Sequence, residues 1–331
     1  MANSKTHHVI AYGSAIVDVL AEVEDAFLLT HNIAKGVMTL IDEHRAAQLY
    51  GAFGRPKEVA GGSAANTMAG LASLGARGCF VGKTKADRLG EAFFASMKDT
   101  GVDYATPASG DGPQTACCLI AVTPDGERSM NTYLGAAREL GTGDVTEAAI
   151  AAAQVLYIEG YLWDAPKAKA ASLKAIDIAR ASGTKVAFTL SDPFLMGRYR
   201  DEFLALLPKL DILFANEEEA KALFAADDFD SVLQAVRPLN AIAALTRSEK
   251  GCVAAKGGEV HVVDAVPVAR VVDTTGAGDQ FAAGFLYGLT HGFDLARCGR
   301  LGSLAAAEVI SHVGARPVTP LKQLAASAGL L

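Results

Sequence analysis

Asp273-Thr274-Thr275-Gly276-Ala277-Gly278-Asp279 sets two glycines and a carboxylate directly ahead of an apolar run over residues 280–289. Phe281, Phe285 and Leu289 recur there at helical spacing, which predicts a helix starting within or just after residues 276–279. The start of a helix is an anion site. Its first backbone N–H groups have no internal partner, the helix dipole adds partial positive charge, and Gly276 and Gly278 let main chain approach a phosphate with no Cβ between. A carboxylate there is unfavourable unless it serves something. Asp279 either caps the helix, with Asp273 a turn residue, or takes the proton from a hydroxyl attacking a phosphoryl group held by the glycine amides. The second role needs no strong base, because the attacking oxygen of a loose phosphoryl-transfer transition state keeps its proton until late.

Other positions carry a bland and a chemical reading side by side. Gly61-Gly62 is either a plain turn or a place where main chain closes on a ligand, and Ser63 can cap the helix that carries Asn66, Leu71 and Leu74. Asn216 with Glu219 has the spacing of a capping box. Asp18 stands on an alternating strand, where a side chain facing solvent is ordinary; Arg128 follows Asp125-Gly126 as an exposed loop cation; Tyr161 is a half-buried aromatic at a strand end. Gly78-Cys79-Phe80-Val81-Gly82-Lys83-Thr84 imitates a phosphate-binding P-loop and fails, because glycine is required at position 77, which is Arg77.

Four motifs in chain order carry a resemblance over almost the whole chain: Gly13-Ser14-Ala15-Ile16-Val17-Asp18, Gly61-Gly62-Ser63-Ala64-Ala65-Asn66, Asn216-Glu217-Glu218-Glu219 and the D-T-x-G-A-G-D heptad at 273–279. Together they resemble the ribokinase-like (PfkB) carbohydrate and nucleoside kinases. The resemblance implies an α/β fold, with a three-layer αβα core and a mainly parallel sheet over residues 1–14, 45–112 and 136–331. A small β-sheet lid is implied over 15–44 and 113–135. It implies Asp279 as base, the amides of Gly276, Ala277 and Gly278 on the developing charge, and Arg128 on the transferring phosphate. Asp18 would hold two vicinal sugar hydroxyls as a bidentate acceptor. Ser14, Met38, Gly61, Gly62, Ser63, Asn66, Met130, Thr132, Tyr161, Phe194 and Thr275 would complete the substrate side. On the nucleotide side stand Asn216, Glu219, Thr246, Gly251, Asp273, Gly276 and Gly278. Asn216 and Glu219 would organise water around a Mg²⁺ ion on the phosphates of ATP, an ion that keeps several waters. A monovalent cation such as K⁺ belongs to the same expectation.

Within the family the likeness is to adenosine kinases. It rests on Pro193-Phe194 after Leu190-Ser191, on Leu210-Asp211-Ile212-Leu213-Phe214-Ala215-Asn216-Glu217, and on Tyr157-Ile158-Glu159-Gly160-Tyr161, where Tyr161 matches an aromatic that stacks on adenine. Ser14 stands where many adenosine kinases carry asparagine, and Met38 where eukaryotic members carry glutamine. The implied reaction is phosphorylation of the 5′-hydroxyl of adenosine by ATP, giving AMP and ADP. Its rivals are a sugar kinase acting on ribose, fructose or a keto-deoxy acid, a kinase of another nucleoside such as inosine or guanosine, and a non-catalytic nucleoside-binding protein. Retention of Asp279 with the glycines disfavours the last, since a binder has no use for a base between two anions.

These residues need a large scaffold, and 331 residues with 50% hydrophobic and 20% charged suffice for one. A net charge of −7 with no cluster of Lys or Arg argues against nucleic-acid and membrane-surface partners and allows a local anion site. No run of about 18 apolar residues occurs and the start leads into a strand, so the cytoplasm is the expected compartment, as monomer or homodimer. Cys79, Cys117, Cys118, Cys252 and Cys298 are odd in number, lack metal-ligand spacing and read as reduced core residues.

Periodicity places the rest. Residues 9–13 read as a buried strand, and 16–23 and 36–42 as strands of a small, half-exposed sheet. A helix follows over 43–53, a strand over 79–81 and a helix over 91–100. Strands over 115–122 and 129–134 flank Pro124-Asp125-Gly126 as a hairpin that joins the small sheet. Then helices over 145–153, 165–181, 200–207, 217–224 and 231–236 alternate with strands over 155–159, 186–190, 212–215 and 242–246. That rhythm predicts a parallel sheet with ligands beyond the strands' carboxyl ends. A hairpin over 252–263 and helices over 281–290 and 295–310 complete the reading.

Overall fold

Val9 and Ala11 belong to one buried apolar cluster and their neighbours Ile10 and Tyr12 to another. Successive strand residues point to opposite faces, so this strand is covered on both sides, as its continuous apolar run requires. Val155 and Tyr157 against Leu156 and Ile158 repeat the pattern. The computed structural model describes residues 5–331. In chain order the strands are β1 (His7–Tyr12), β2 (Ile16–Glu22), β3 (Met38–Leu40), β4 (Lys57–Gly61), β5 (Gly78–Val81), β6 (Asp103–Tyr104) and β7 (Ala116–Val122). They continue with β8 (Arg128–Tyr133), β9 (Ala153–Glu159), β10 (Lys185–Thr189), β11 (Ile212–Asn216), β12 (Ile242–Thr246), β13 (Cys252–Lys256) and β14 (Glu259–Val263).

Nine strands form one sheet in the order β14-β13-β12-β11-β10-β9-β1-β5-β6, parallel except for the antiparallel pairings of β13 with β12 and β14. Five form a second sheet in the order β3-β8-β7-β2-β4. This is the ribokinase-like α/β architecture, with helices over both faces of the large sheet and the small sheet beside it. The rejected P-loop imitation is the buried strand β5, and Lys83 after it pairs with Asp144 at 2.7 Å. Cys117 belongs to the core while its neighbour Cys118 faces the cavity described below, and all five cysteines are buried and free.

Several expectations are corrected. The segment Lys57–Gly61, placed with the large body through 45–112, is a strand of the small sheet, antiparallel to β2 from Gly61 opposite Ile16 to Lys57 opposite Leu20. The helix expected over 145–153 spans only Glu147–Ala151, because Ala153 is drawn into β9 opposite His7 of β1. The helix expected from 200 begins at Pro193, with Asp192 capping it through the Phe194 amide at 3.0 Å; proline at the first helical position starts helices well. A short helix, Asp25–Thr30, was not anticipated. The strand expected over 36–42 is limited to Met38–Leu40.

The chain crosses between the sheets through residues 13–15 and again at Gly62, and the crossings touch. Gly62 has φ +90°, and a Cβ there would lie 2.2 Å from the Ser14 carbonyl oxygen. Strain and overlap act together, so Gly62→Ala is expected to destabilise the protein by about 2–4 kcal/mol. Thermal unfolding measures this, and an unchanged midpoint would mean that the crossing relaxes freely.

Candidate active site

The heptad loop folds back on the end of the chain. Gly276, at φ +82°, precedes the helix Ala277–Thr290, and a Cβ on it would lie 2.6 Å from the Ala315 carbonyl oxygen. Its freedom is used for that turn and close packing. Gly278 is the one whose missing Cβ faces open space. The N-cap is Gly276, so Asp279 in the first turn is not the capping residue. Its Oδ1 accepts from the Ser63 hydroxyl at 2.6 Å and its Oδ2 from the Asn66 Nδ2 at 3.2 Å. Both donors lie in the helix Ser63–Ser73, which starts at the Gly62 crossing. Burial pushes the Asp279 carboxyl up to about 6, against the pull of the Ser63 and Asn66 bonds and the Arg316 charge.

Asp18, in the middle of β2, faces the same cavity. Burial pushes it also up to about 6, opposed by the charges of Arg128 and Arg316 and reinforced by that of Asp279. A Cβ on Gly61 would touch this carboxylate at 2.5 Å; Gly61 makes room for Asp18, and Gly62 lines the cavity. A third carboxylate, Glu159 at the end of β9, has no solvent exposure. Its oxygens accept from the Ser14 amide at 2.7 Å and the Ala64 amide at 2.9 Å, tying both crossings to the large sheet. Burial pushes it to about 7 despite those bonds.

Arg128 opens β8, largely buried, and its guanidinium donates to Asp273 and, at 3.4 Å, to the Thr275 hydroxyl. Burial alone would raise the Asp273 carboxyl. The Thr275 side chain and amide, the Gly314 amide and the Arg128 charge together hold it below its ordinary value. An ion pair thus joins the small sheet to the heptad loop, where an exposed loop cation was the bland expectation.

One cavity of about 460 Å³, a size suited to a small organic ligand, is lined by Asp18, Arg128, Glu159 and Asp279 together, while Asp273 lies behind Arg128 and off the cavity wall. Gly276, Ala277, Gly278 and Asp279 line it at the loop, with Thr275 beside them. Met38, Met130 and Thr132 reach it from the small sheet. From the large body come Ser14, Ser63, Asn66, Tyr161 and Phe194, the last two with ring centres 6.3 Å apart. Tyr161 gives its hydroxyl proton to the Ser191 carbonyl at 3.2 Å and lines the cavity. Asn216 and Glu219 also line it and do form a capping box: the Glu219 amide donates to Asn216 Oδ1 at 2.8 Å, and the Asn216 amide to Glu219 Oε2 at 3.0 Å. Burial pushes Glu219 up to about 7. Thr246 lies on a smaller adjoining cavity of about 90 Å³, and Gly251 on neither. A Cβ on Gly251 would strike the Val263 carbonyl oxygen at 2.0 Å, so it serves the tight entry to β13.

Sequence reasoning missed Glu159 as a polar anchor and Arg316 altogether. Glu159 stands two residues before Tyr161, within a run whose apolar character hides a carboxylate. Arg316 follows a helix in Gly314-Ala315-Arg316-Pro317, with no periodicity to mark it. Among the described residues no three metal-ligating side chains converge, and no helix is long and apolar enough to cross a membrane.

Known proteins resemble this chain over almost its whole length. A family model described as pfkB family carbohydrate kinase matches residues 8–322. The adenosine kinase of Saccharomyces cerevisiae is 27% identical over 93% of this chain and 96% of its own length. The crystal structure of adenosine kinase from Sinorhizobium meliloti superposes with a TM-score of 0.89 at 48% identity, covering 97% of this chain and 99% of that one. A protein of Rhizobium etli CFN 42 described as a probable sugar kinase superposes with a TM-score of 0.91, also at 48% identity, covering 99% and 100%.

Proposed function

We propose that this chain, which belongs to the pfkB family of carbohydrate kinases and is a phosphotransferase with an alcohol acceptor, transfers the γ-phosphoryl group of ATP to the 5′-hydroxyl of adenosine. The observation that carries the reading is the convergence, on one cavity, of the Asp279 carboxylate, the open face of Gly278 and the rings of Tyr161 and Phe194. The ribose lies against Asp18, Gly62 and Asn66, with the Asp18 carboxylate accepting from the vicinal hydroxyls. The purine lies on Tyr161 among Phe194, Met38 and Met130, a use for an aromatic face that a plain sugar lacks.

Asp279 orients the 5′-hydroxyl and accepts its proton as the oxygen attacks phosphorus and the bond to ADP breaks. The amides of Gly276 and Gly278 and the Arg128 guanidinium face the charge that develops on the phosphoryl oxygens, joined by the Ala277 amide when it leaves its 3.2 Å bond to the Thr274 carbonyl. Glu219 and Asn216 fit an ion held mainly by water and phosphate, since their oxygens and nitrogens already satisfy one another and, among the described residues, no cluster of three metal-ligating side chains includes them. They would hold Mg²⁺ through water, and that ion, when bound with ATP, neutralises phosphate charge. Asp273, with Thr246 and Gly251 further out, belongs to the nucleotide side.

A second reading is favoured by one observation: the relative described as a sugar kinase matches this chain at the same 48% identity as the adenosine kinase. An ADP-release screen with Mg-ATP against adenosine, inosine, guanosine, ribose and fructose separates the two. The expected result is the highest kcat/KM with adenosine, and for Tyr161→Ala a KM for adenosine raised about tenfold, from loss of a stacking contact. Turnover of ribose or fructose with none of the nucleosides would establish the rival.

A further inference from the structure

The bond from Asn66 to Asp279 depends on which way the Asn66 amide is turned, since its two ends are nearly the same size. Arg316 supplies the answer. Its Nε donates to Asn66 Oδ1 at 3.2 Å, which leaves Nδ2 to donate to Asp279. The guanidinium is anchored on its other side by a bond from Nη1 to the Ser96 hydroxyl at 3.0 Å and by the Met97 sulfur at 3.7 Å. We propose that Arg316 is a positioning residue for phosphoryl transfer, which holds the Asn66 amide in the one orientation that directs a hydrogen bond onto Asp279.

The surroundings leave that task to Arg316. Gln280 donates from Nε2 to the Asn66 carbonyl and to the Ala315 carbonyl, both at 2.9 Å, so the main chains of the three segments are already tied together. Only the side-chain amide is left to turn. A flipped Asn66 would set its carbonyl oxygen against a carboxylate oxygen and its NH₂ against a guanidinium N–H, two repulsive contacts replacing two bonds. Arg316 stays protonated: burial lowers it only to about 10, while Asp18 and Asp279 pull the other way. Among the described residues it has no carboxylate in contact, so its charge acts on these two across the site. The groups facing Asp279 are then Ser63, Asn66 and Arg316, the carboxylates Asp18 and Glu159, and the hydroxyls of Tyr157 and Tyr161.

This inference rests on Asp279 as the group that handles the acceptor proton, and it holds for any alcohol acceptor. The test therefore uses whichever acceptor the wild-type enzyme phosphorylates best, so a sugar in place of adenosine would sink the substrate reading and leave this one standing. Arg316→Gln, Asn66→Ala and the double variant are compared by kcat, KM and the pH profile of kcat/KM. Arg316→Gln is expected to lower kcat about 10–100-fold, the scale of a misplaced catalytic group, with KM changed by less than about threefold. Its acid limb is expected to move to higher pH, because the lost cation no longer favours the ionised carboxylate. On the Asn66→Ala background the same change is expected to cost less than about threefold, since the relay is already broken. Equal losses in both backgrounds with an unmoved limb would overturn the proposal. Arg316→Lys keeps the charge and loses the planar Nε, so it is expected to keep the limb and lose kcat. If Arg316→Gln does not fold, full kcat in Arg316→Lys overturns the proposal and reduced kcat with the limb in place supports it.

Discussion

Asp279→Asn is expected to lower kcat about a thousandfold or more while nucleoside affinity stays within about threefold. The substitution keeps the shape of the side chain and the bond from the Ser63 hydroxyl, and it removes the only function that needs a carboxylate, acceptance of the acceptor's proton. The ribose contacts on Asp18, Gly62 and Asn66 remain. Stability gives a second readout with a definite sign. Because burial raises the folded-state carboxyl to about 6, above its ordinary value, the stability linked to its protonation is fully present at acid pH and lost as pH rises through about 6. The variant has no such proton to lose. Its unfolding midpoint should therefore fall less than that of wild type between about pH 4.5 and 7.5. Retained turnover would remove Asp279 from its assigned role, and an identical pH dependence of the midpoint would show that its folded-state carboxyl is not raised.

Arg128→Ala is expected to lower kcat about 100–1,000-fold, in the range seen when a transition-state cation is removed. Two losses combine. The cavity loses a guanidinium on its wall, and the small sheet loses its tie to the heptad loop, since Arg128 in β8 bonds to Asp273 and Thr275. Arg128→Lys keeps a point charge and cannot hold the same two-point geometry, so its kcat should fall between those of Ala and wild type. Single-turnover kinetics separates the chemical step from product release. An Ala variant that keeps more than a third of wild-type kcat would place the guanidinium away from the transferring group.

Much of this was legible in the residue pattern, and the exceptions have physical causes. The central strands declare themselves through continuous apolar runs, and the helix after the heptad through Phe281, Phe285 and Leu289. The strand Lys57–Gly61 does not: it is short, partly charged and ends in glycine, and only its long-range pairing with β2 makes it a strand. The same holds for Ala153, which helical pattern claims and pairing with β1 overrules. At the site, residues with an unusual local neighbourhood could be singled out, such as a carboxylate after glycines. Glu159 and Arg316 have ordinary neighbours. They matter because distant segments bring amides and an asparagine to them, as when Ser14 and Ala64 meet Glu159 across 145 and 95 residues of chain.

The most direct measurement is a crystal structure with adenosine and a non-hydrolysable ATP analogue bound together. The account predicts the 5′-hydroxyl within about 2.6–3.2 Å of an Asp279 carboxylate oxygen, the terminal phosphate against the amides of residues 276–278, and the purine on Tyr161. A nucleoside bound with that hydroxyl away from Asp279, or a terminal phosphate seated elsewhere than on those amides, would contradict it.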